Sequence, residues 1–172
     1  MEHINQLCEQ LPEATKDLAL NLAAVLKSEH LEPTEVWAVA LTASYFVRSA
    51  ALQESVLADA QEILGQDGVE DAQAAASLMA MNTIYFRFRH MVGKESYSQM
   101  RTGLRMNRIM SPATSRKQFE LCSLACAALA GCEVCLQSHE PKLLEEGYTE
   151  LQVNDVIRIA ATIQGVAVAL EV

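Results

Sequence analysis

Apolar side chains along this chain recur at intervals of three and four, the spacing that keeps them on one face of a helix. Nowhere do they alternate with polar residues over a run long enough for a strand. Ala, Leu, Glu, Gln and Met dominate, and all favour helix. A short helix is predicted near Ile4 to Gln10, and Pro12 opens a second running to about Ser28, with Leu18, Leu22, Val25 and Leu26 on one face. Pro33, followed by Thr34 and Glu35, starts a third through Trp37, Leu41 and Tyr45 to about Val47. The next covers Ala51 to Leu64, and Gly65 to Gly68 reads as a turn. From about Val69 to Arg89 the series Ala72, Ala75, Ala76, Met79, Thr83 and Phe86 predicts a helix whose small residues admit close neighbours. Gly93 to Gly103 reads as a loop, and Leu104 to Met110 as a short helix before Pro112. Ser115 suits the cap of a helix ending near Leu129, Gly131 breaks it, and Cys132 to about Glu146 forms another. The predicted fold is all-α, with about eight or more helices.

A gapless shift of 82 residues lays the first half of the chain on the second. Trp37 falls on Phe119, Leu41 on Ser123, Gly65 on Gly147, Asn82 on Gln164, and Pro33-Thr34-Glu35 on Ser115-Arg116-Lys117. The expectation is one domain holding two related helical units, residues 33–90 and 115–172. The second alone carries reactive groups. Under the same shift Ala38 takes the place of Glu120, Ala50 of Cys132 and Gln53 of Cys135. A repeat kept only for packing has no reason to place a carboxylate and two thiols in one copy.

Those residues form the pattern Gly131-Cys132-Glu133-Val134-Cys135-Leu136-Gln137-Ser138-His139, with Glu120 one element upstream. On a helix Cys132, Cys135 and His139 share a face, because positions three and four apart are neighbours. Cys132 stands near the start of its helix, where partial positive charge lowers a thiol pKa. His139 can exchange a proton with the Cys135 sulfur while Glu120 holds the other imidazole nitrogen. In a Cys-X-X-Cys pair one thiol can attack a sulfenic acid or mixed disulfide formed on the other. Metal binding is the main rival, but a closed zinc site needs a fourth ligand that the sequence does not supply. Haem attachment needs histidine where Leu136 stands, and no βαβ pattern of a thioredoxin fold surrounds the motif. Cys122 and Cys126, in an apolar series, read as inert core residues.

Charge narrows the partners. The 172 residues carry 13 Lys and Arg against 22 Asp and Glu, a formal charge of −9, so neither nucleic acid nor an anionic membrane is an expected surface. The Arg87 and Arg89 run between aromatics reads as complement to a helix C-terminus rather than as an RNA site. Five cysteines without the spacing of a secreted scaffold point to a reducing compartment. No stretch approaches the ~18 apolar residues of a membrane span, and a cytoplasmic location is expected.

Glu120, eleven residues, Cys132-X-X-Cys135, three residues, His139 resembles the pattern of the alkylhydroperoxidase D family within the carboxymuconolactone decarboxylase-like superfamily. Met81 to Arg87, Gly103 to Asn107 and Phe119-Glu120-Leu121 extend the resemblance over most of the chain. It implies an internally duplicated helical fold assembled as a homotrimer or related ring. It also implies a peroxidase without bound cofactor, drawing on an external dithiol such as dihydrolipoamide on a lipoyl protein, or serving the peroxiredoxin alkyl hydroperoxide reductase C. Cys135 would be the peroxidatic thiol that becomes sulfenic acid. Cys132 would donate a proton and then close the disulfide, with Glu120 and His139 relaying the proton. One residue departs: similar proteins carry a second histidine between the cysteines, where this chain has Val134. Valine transfers no proton, so a slower or redirected reaction is expected. The alternatives are a cofactor-free lactone decarboxylase of the same superfamily, in which the dithiol is incidental, and a non-enzymatic redox-responsive module.

Overall fold

The helices begin and end where local chemistry satisfies their free backbone groups. A computed structural model describes residues 1–172, all helix and connecting segments with no strand. α1 spans Glu2–Cys8, and after a 3₁₀ turn at Glu13–Thr15 α2 spans Lys16–Val25. α3 runs Pro33–Val47, with proline in its first turn and a reciprocal cap between Glu32 and Glu35. α4 is Ala50–Val92, α5 Glu95–Gln99 and α6 Asn107–Met110. α7 is Arg116–Leu129, started by the Ser115 hydroxyl, which accepts from the Gln118 N–H at 3.1 Å. α8 spans Glu133–Glu145 and α9 Glu150–Ala169, the latter capped by Thr149 and Gln152.

Two segments differ from the spacing-based reading. The turn predicted over Gly65 to Gly68 shrinks to a single residue: Gly65 alone leaves helical geometry, at φ 61° and ψ −177°, and the helix resumes at once. That conformation is open only to glycine, so α4 is two helices joined at a sharp corner. The predicted loop from Gly93 to Gly103 holds the short helix α5, whose Tyr97 ring meets Phe88 edge-on at 5.3 Å.

α3 and α7 are the buried helices. α3 packs on α4, α7 and α9, and α7 packs on α4, α8 and α9. Leu41, Leu52, Leu121, Leu124, Ile159 and Ile163 are fully enclosed between them, each contributing about 1.5–3 kcal/mol by leaving water. The alanine series of α4 faces this core: Ala72 and Ala75 lie in it, and Met79 continues the face into a smaller cluster with Cys126, Ala127, Cys132 and Cys135. No helix is long and apolar enough to cross a membrane.

One polar group fixes how the second half enters. Asp71, on α4, is 3% exposed. Its oxygens accept from Arg108 Nε at 2.7 Å, the Ala113 N–H at 3.1 Å, and the Thr114 N–H and hydroxyl at 2.8 and 2.7 Å. The segment leading into α7 is therefore pinned to α4 one residue before the helix cap. Burial pushes the Asp71 carboxyl up, but these four donors outweigh it and hold the group below the usual carboxylate range. A depressed folded-state value means that the ionised group stabilises the fold above the unfolded-state pKa and loses that contribution as pH falls through the folded-state one. Asp71→Asn should therefore lower unfolding stability by about 2–4 kcal/mol at pH 7. In urea melts at several pH values, the gap from wild type should close on acidification below about pH 4.

Candidate active site

Helix α7 ends in a turn that delivers the first cysteine. Gly131 adopts φ 60°, and the chain reverses so that the Gly131 N–H donates to the Ala128 carbonyl and the Cys132 N–H to the Ala127 carbonyl, both at 3.0 Å. Cys132 closes α7 and is at the same time the N-cap residue of α8. Cys135 follows one turn later, and the two sulfurs are joined in a disulfide, with Cα atoms 5.2 Å apart. Arg87 holds the same corner from α4 by donating to the Ala130 carbonyl. The helix-end role expected for this arginine is thus replaced by a tie across the fold.

Glu120 lies in the first turns of α7 and His139 on α8, and the structure brings them together. His139 Nδ1 lies 2.6 Å from Glu120 Oε1, and both side chains are 14% exposed. Lys142, one turn beyond His139, places Nζ 3.5 Å from the same oxygen. Burial pushes the Glu120 carboxyl up, but the hydrogen bond and charge of His139, with Lys142 behind them, prevail and hold it below the usual range. An ionised Glu120 fixes the imidazole with its Nδ1–H toward the carboxylate and leaves Nε2 for other work.

A cavity of about 270 Å³ opens beside these groups. α4 lines it with Met79, Asn82 and Phe86, α6 with Ile109, and α8 with Val134, Cys135, Ser138, His139 and Lys142. Cys135 lines it and Cys132 does not; Cys132 is wholly enclosed. A larger hollow of about 820 Å³ lies behind Ala130 among Tyr45, Arg48, Gln53 and Arg87, but contains neither cysteine, histidine nor carboxylate. Cys135 and His139 border the smaller one. No cluster of three or more His, Cys, Asp or Glu side chains is placed to hold a metal ion.

All four residues singled out in the sequence, Glu120, Cys132, Cys135 and His139, therefore meet at the α7–α8 junction. Asn82, Met79, Phe86 and Lys142 were not singled out. Met79 and Phe86 read correctly as core by their spacing, and nothing local marks the cavity they border. Lys142, three residues past His139, carried a signal: it shares the helix face of that base.

The arrangement of an all-helical fold, a Cys-X-X-Cys at a helix start and a carboxylate-held histidine is accompanied by a match of residues 95–172 to the family model of the carboxymuconolactone decarboxylase family. Proteins called alkyl hydroperoxide reductase AhpD match nearly the whole chain. That of Anaeromyxobacter dehalogenans (strain 2CP-C) is 47% identical over 171 residues, covering 99% of this chain and 92% of its own. Those of Coxiella burnetii (strain Dugway 5J108-111) and Rhodospirillum centenum are 40% and 37% identical, with 92% and 90% of their own lengths covered. Residues 95–172 thus carry the signature of the carboxymuconolactone decarboxylase family. Within it, the chain belongs to the alkyl hydroperoxide reductase AhpD family.

Outside the disulfide, the three remaining cysteines are weak acids. Burial pushes the Cys122 thiol up to about 12 and Cys126 well above its ordinary value, and raises half-buried Cys8 as well. In protein reduced under native conditions, iodoacetamide at pH 8 should label Cys135 first. Cys122 and Cys126 should stay unmodified until denaturant is added, as read by peptide mass mapping.

Proposed function

We propose that this protein is a thiol-dependent alkyl hydroperoxide reductase that cycles the Cys132–Cys135 dithiol. The observation that carries the reading is the Glu120–His139 pair beside a disulfide whose Cys135 sulfur alone borders a cavity. The relatives' printed name, alkyl hydroperoxide reductase, agrees with it.

In the reduced state His139 Nε2 takes the Cys135 proton, with the ionised Glu120 stabilising the imidazolium. The thiolate attacks the terminal peroxide oxygen; an S–O bond forms, the O–O bond breaks, and the alcohol leaves with a proton from His139. Cys132 then displaces water from the sulfenic acid and closes the disulfide. An external dithiol, such as dihydrolipoamide on a lipoyl protein, returns both thiols and is itself oxidised; a peroxiredoxin such as alkyl hydroperoxide reductase C is a further candidate partner. The roles divide by access: Cys135 meets substrate, and enclosed Cys132 resolves. Val134 lines the cavity where similar proteins carry histidine, so His139 is the base beside Cys135.

A disulfide between paired thiols disfavours the lactone-decarboxylase alternative, whose chemistry needs none. The same reading includes two related helical units. It is supported by the 82-residue shift, which carries Pro33–Val47 onto 115–129, where α7 spans Arg116–Leu129, and Gly65 onto Gly147, both at positive φ. It also includes a homo-oligomer, a trimer by resemblance. Ile84, Phe88 and Met91 lie exposed on one face of α4, an apolar stripe suited to a second copy of the chain.

With dihydrolipoamide as reductant, Cys135→Ser should abolish hydroperoxide consumption. Cys132→Ser should turn over at least about tenfold more slowly, because its Cys135 sulfenic acid must await the external dithiol. His139→Gln and Glu120→Gln should each lower turnover by about 10²-fold or more. Unchanged turnover in Cys135→Ser would overturn the assignment.

A further inference from the structure

Asn82 is a buried polar side chain whose carbonyl has nothing to bind. The residue is 6% exposed, and its Oδ1 is enclosed without a hydrogen-bond partner. Leaving such an acceptor unpaired destabilises the fold, so a structure that keeps one invites the question of what it meets. Thr42, Tyr45, Ser49, Arg108 and Glu146 also carry buried unpaired atoms, but none of these residues borders the cysteine cavity; Asn82 does.

The cavity's other groups explain what Oδ1 lacks. Met79, Phe86, Ile109 and Val134 offer only apolar surface. Once His139 has taken the Cys135 proton it is a donor at both nitrogens, with Nδ1 committed to Glu120. Lys142 is a donor only, and lies beside Glu120. A hydroperoxide brings one donor, the O–H on its terminal oxygen, and that donor loses its water on entering the cavity. Ser138 also borders the cavity, but it is exposed and its hydroxyl can pair with water, so the buried acceptor left for the hydroperoxide is Asn82 Oδ1.

We propose that Asn82 is the hydroperoxide-orienting residue: its Oδ1 accepts the O–H of ROOH and turns the terminal oxygen toward Cys135, with the RO oxygen toward His139. This rests on the peroxidase reading above. The balance closes without further reactants. Sulfur donates an electron pair to the terminal oxygen and the S–O bond forms. The O–O bond breaks, RO⁻ takes the proton from His139, and the original O–H stays on the product as Cys135–SOH. Asn82 keeps its hydrogen bond to that sulfenic acid until Cys132 attacks. The substrate class is therefore a hydroperoxide with a free O–H and an apolar R group, seated between the α4 wall and α8.

The test compares wild type, Asn82→Leu, which keeps the volume and removes the acceptor, and Asn82→Ser, which keeps a shorter acceptor. Each is assayed for cumene hydroperoxide kcat/KM, for iodoacetamide alkylation of reduced Cys135, and for reduction of the oxidised protein by dihydrolipoamide. The last two involve no hydroperoxide. The expected result is a fall of about ten- to a hundredfold in kcat/KM for Asn82→Leu, a smaller fall for Asn82→Ser, and alkylation and disulfide reduction within about twofold of wild type. Wild-type kcat/KM in both variants would overturn the role of Asn82 and leave the peroxidase reading standing. A parallel fall in alkylation would also overturn it, because Asn82 would then act through the thiol or the packing. If Asn82→Leu does not fold, Asn82→Ser decides by the same comparison. A wild type that consumes no hydroperoxide would instead remove the peroxidase reading itself.

Discussion

Glu120 sits on a helix whose neighbouring side chains are almost all apolar, and a carboxylate there is sustained only by what reaches it from the next helix. His139 and Lys142 do so from α8. The pairing sets more than one side chain. It ties α8 to α7 beyond the Gly131 turn, orients the imidazole, and fixes which nitrogen faces the cavity. Remove the turn and the helices part; remove the carboxylate and the histidine loses its direction. Geometry and acid-base chemistry here have one source.

Around that pairing the fold supplies rigidity from a distance. α4 reaches the site at two ends of its second half: Asp71 holds the strand of chain entering α7, and Arg87 holds the turn leaving it. Both ends of the helix that presents Glu120 are thus anchored to a single neighbour. The same α4 segment contributes Met79, Asn82 and Phe86 to the cavity wall. Support and cavity wall are parts of one helix, which holds the cavity in register with His139.

Much of this was legible in the chain because it rests on local rules. Pro33 and Ser115 mark helix starts by their own chemistry, and Gly131 marks an end; α3 and α7 lie where these signals place them. Cys132, Cys135 and His139 were legible by spacing, since helical neighbours three and four apart leave a pattern in one dimension; Glu120, one helix upstream, was legible from the asymmetry between the two copies and from the family pattern. The continuity of α4 across Gly65 was not, because a glycine that breaks one peptide's geometry and a glycine that begins a loop look alike until the following residues are seen to resume the ladder. Asp71, Arg87 and Asn82 were hidden for another reason. Each is defined by what it meets, 43 residues away for Arg87 and 37 to 43 away for Asp71, or, for Asn82, by an oxygen that meets nothing. Sequence spacing carries no record of an absent partner.

Cys122 and Cys126 lie on the helix that presents Glu120, close to the redox pair along the chain, yet burial keeps both protonated across the physiological range. Thiol exchange requires thiolate. Of the five cysteines, Cys122 and Cys126 are thereby withheld from exchange: beside the two-electron couple of Cys132 and Cys135, the sulfur of α7 is insulation rather than wire. Repeated oxidation can load and unload that couple without the charge leaking into the core as a misplaced crosslink.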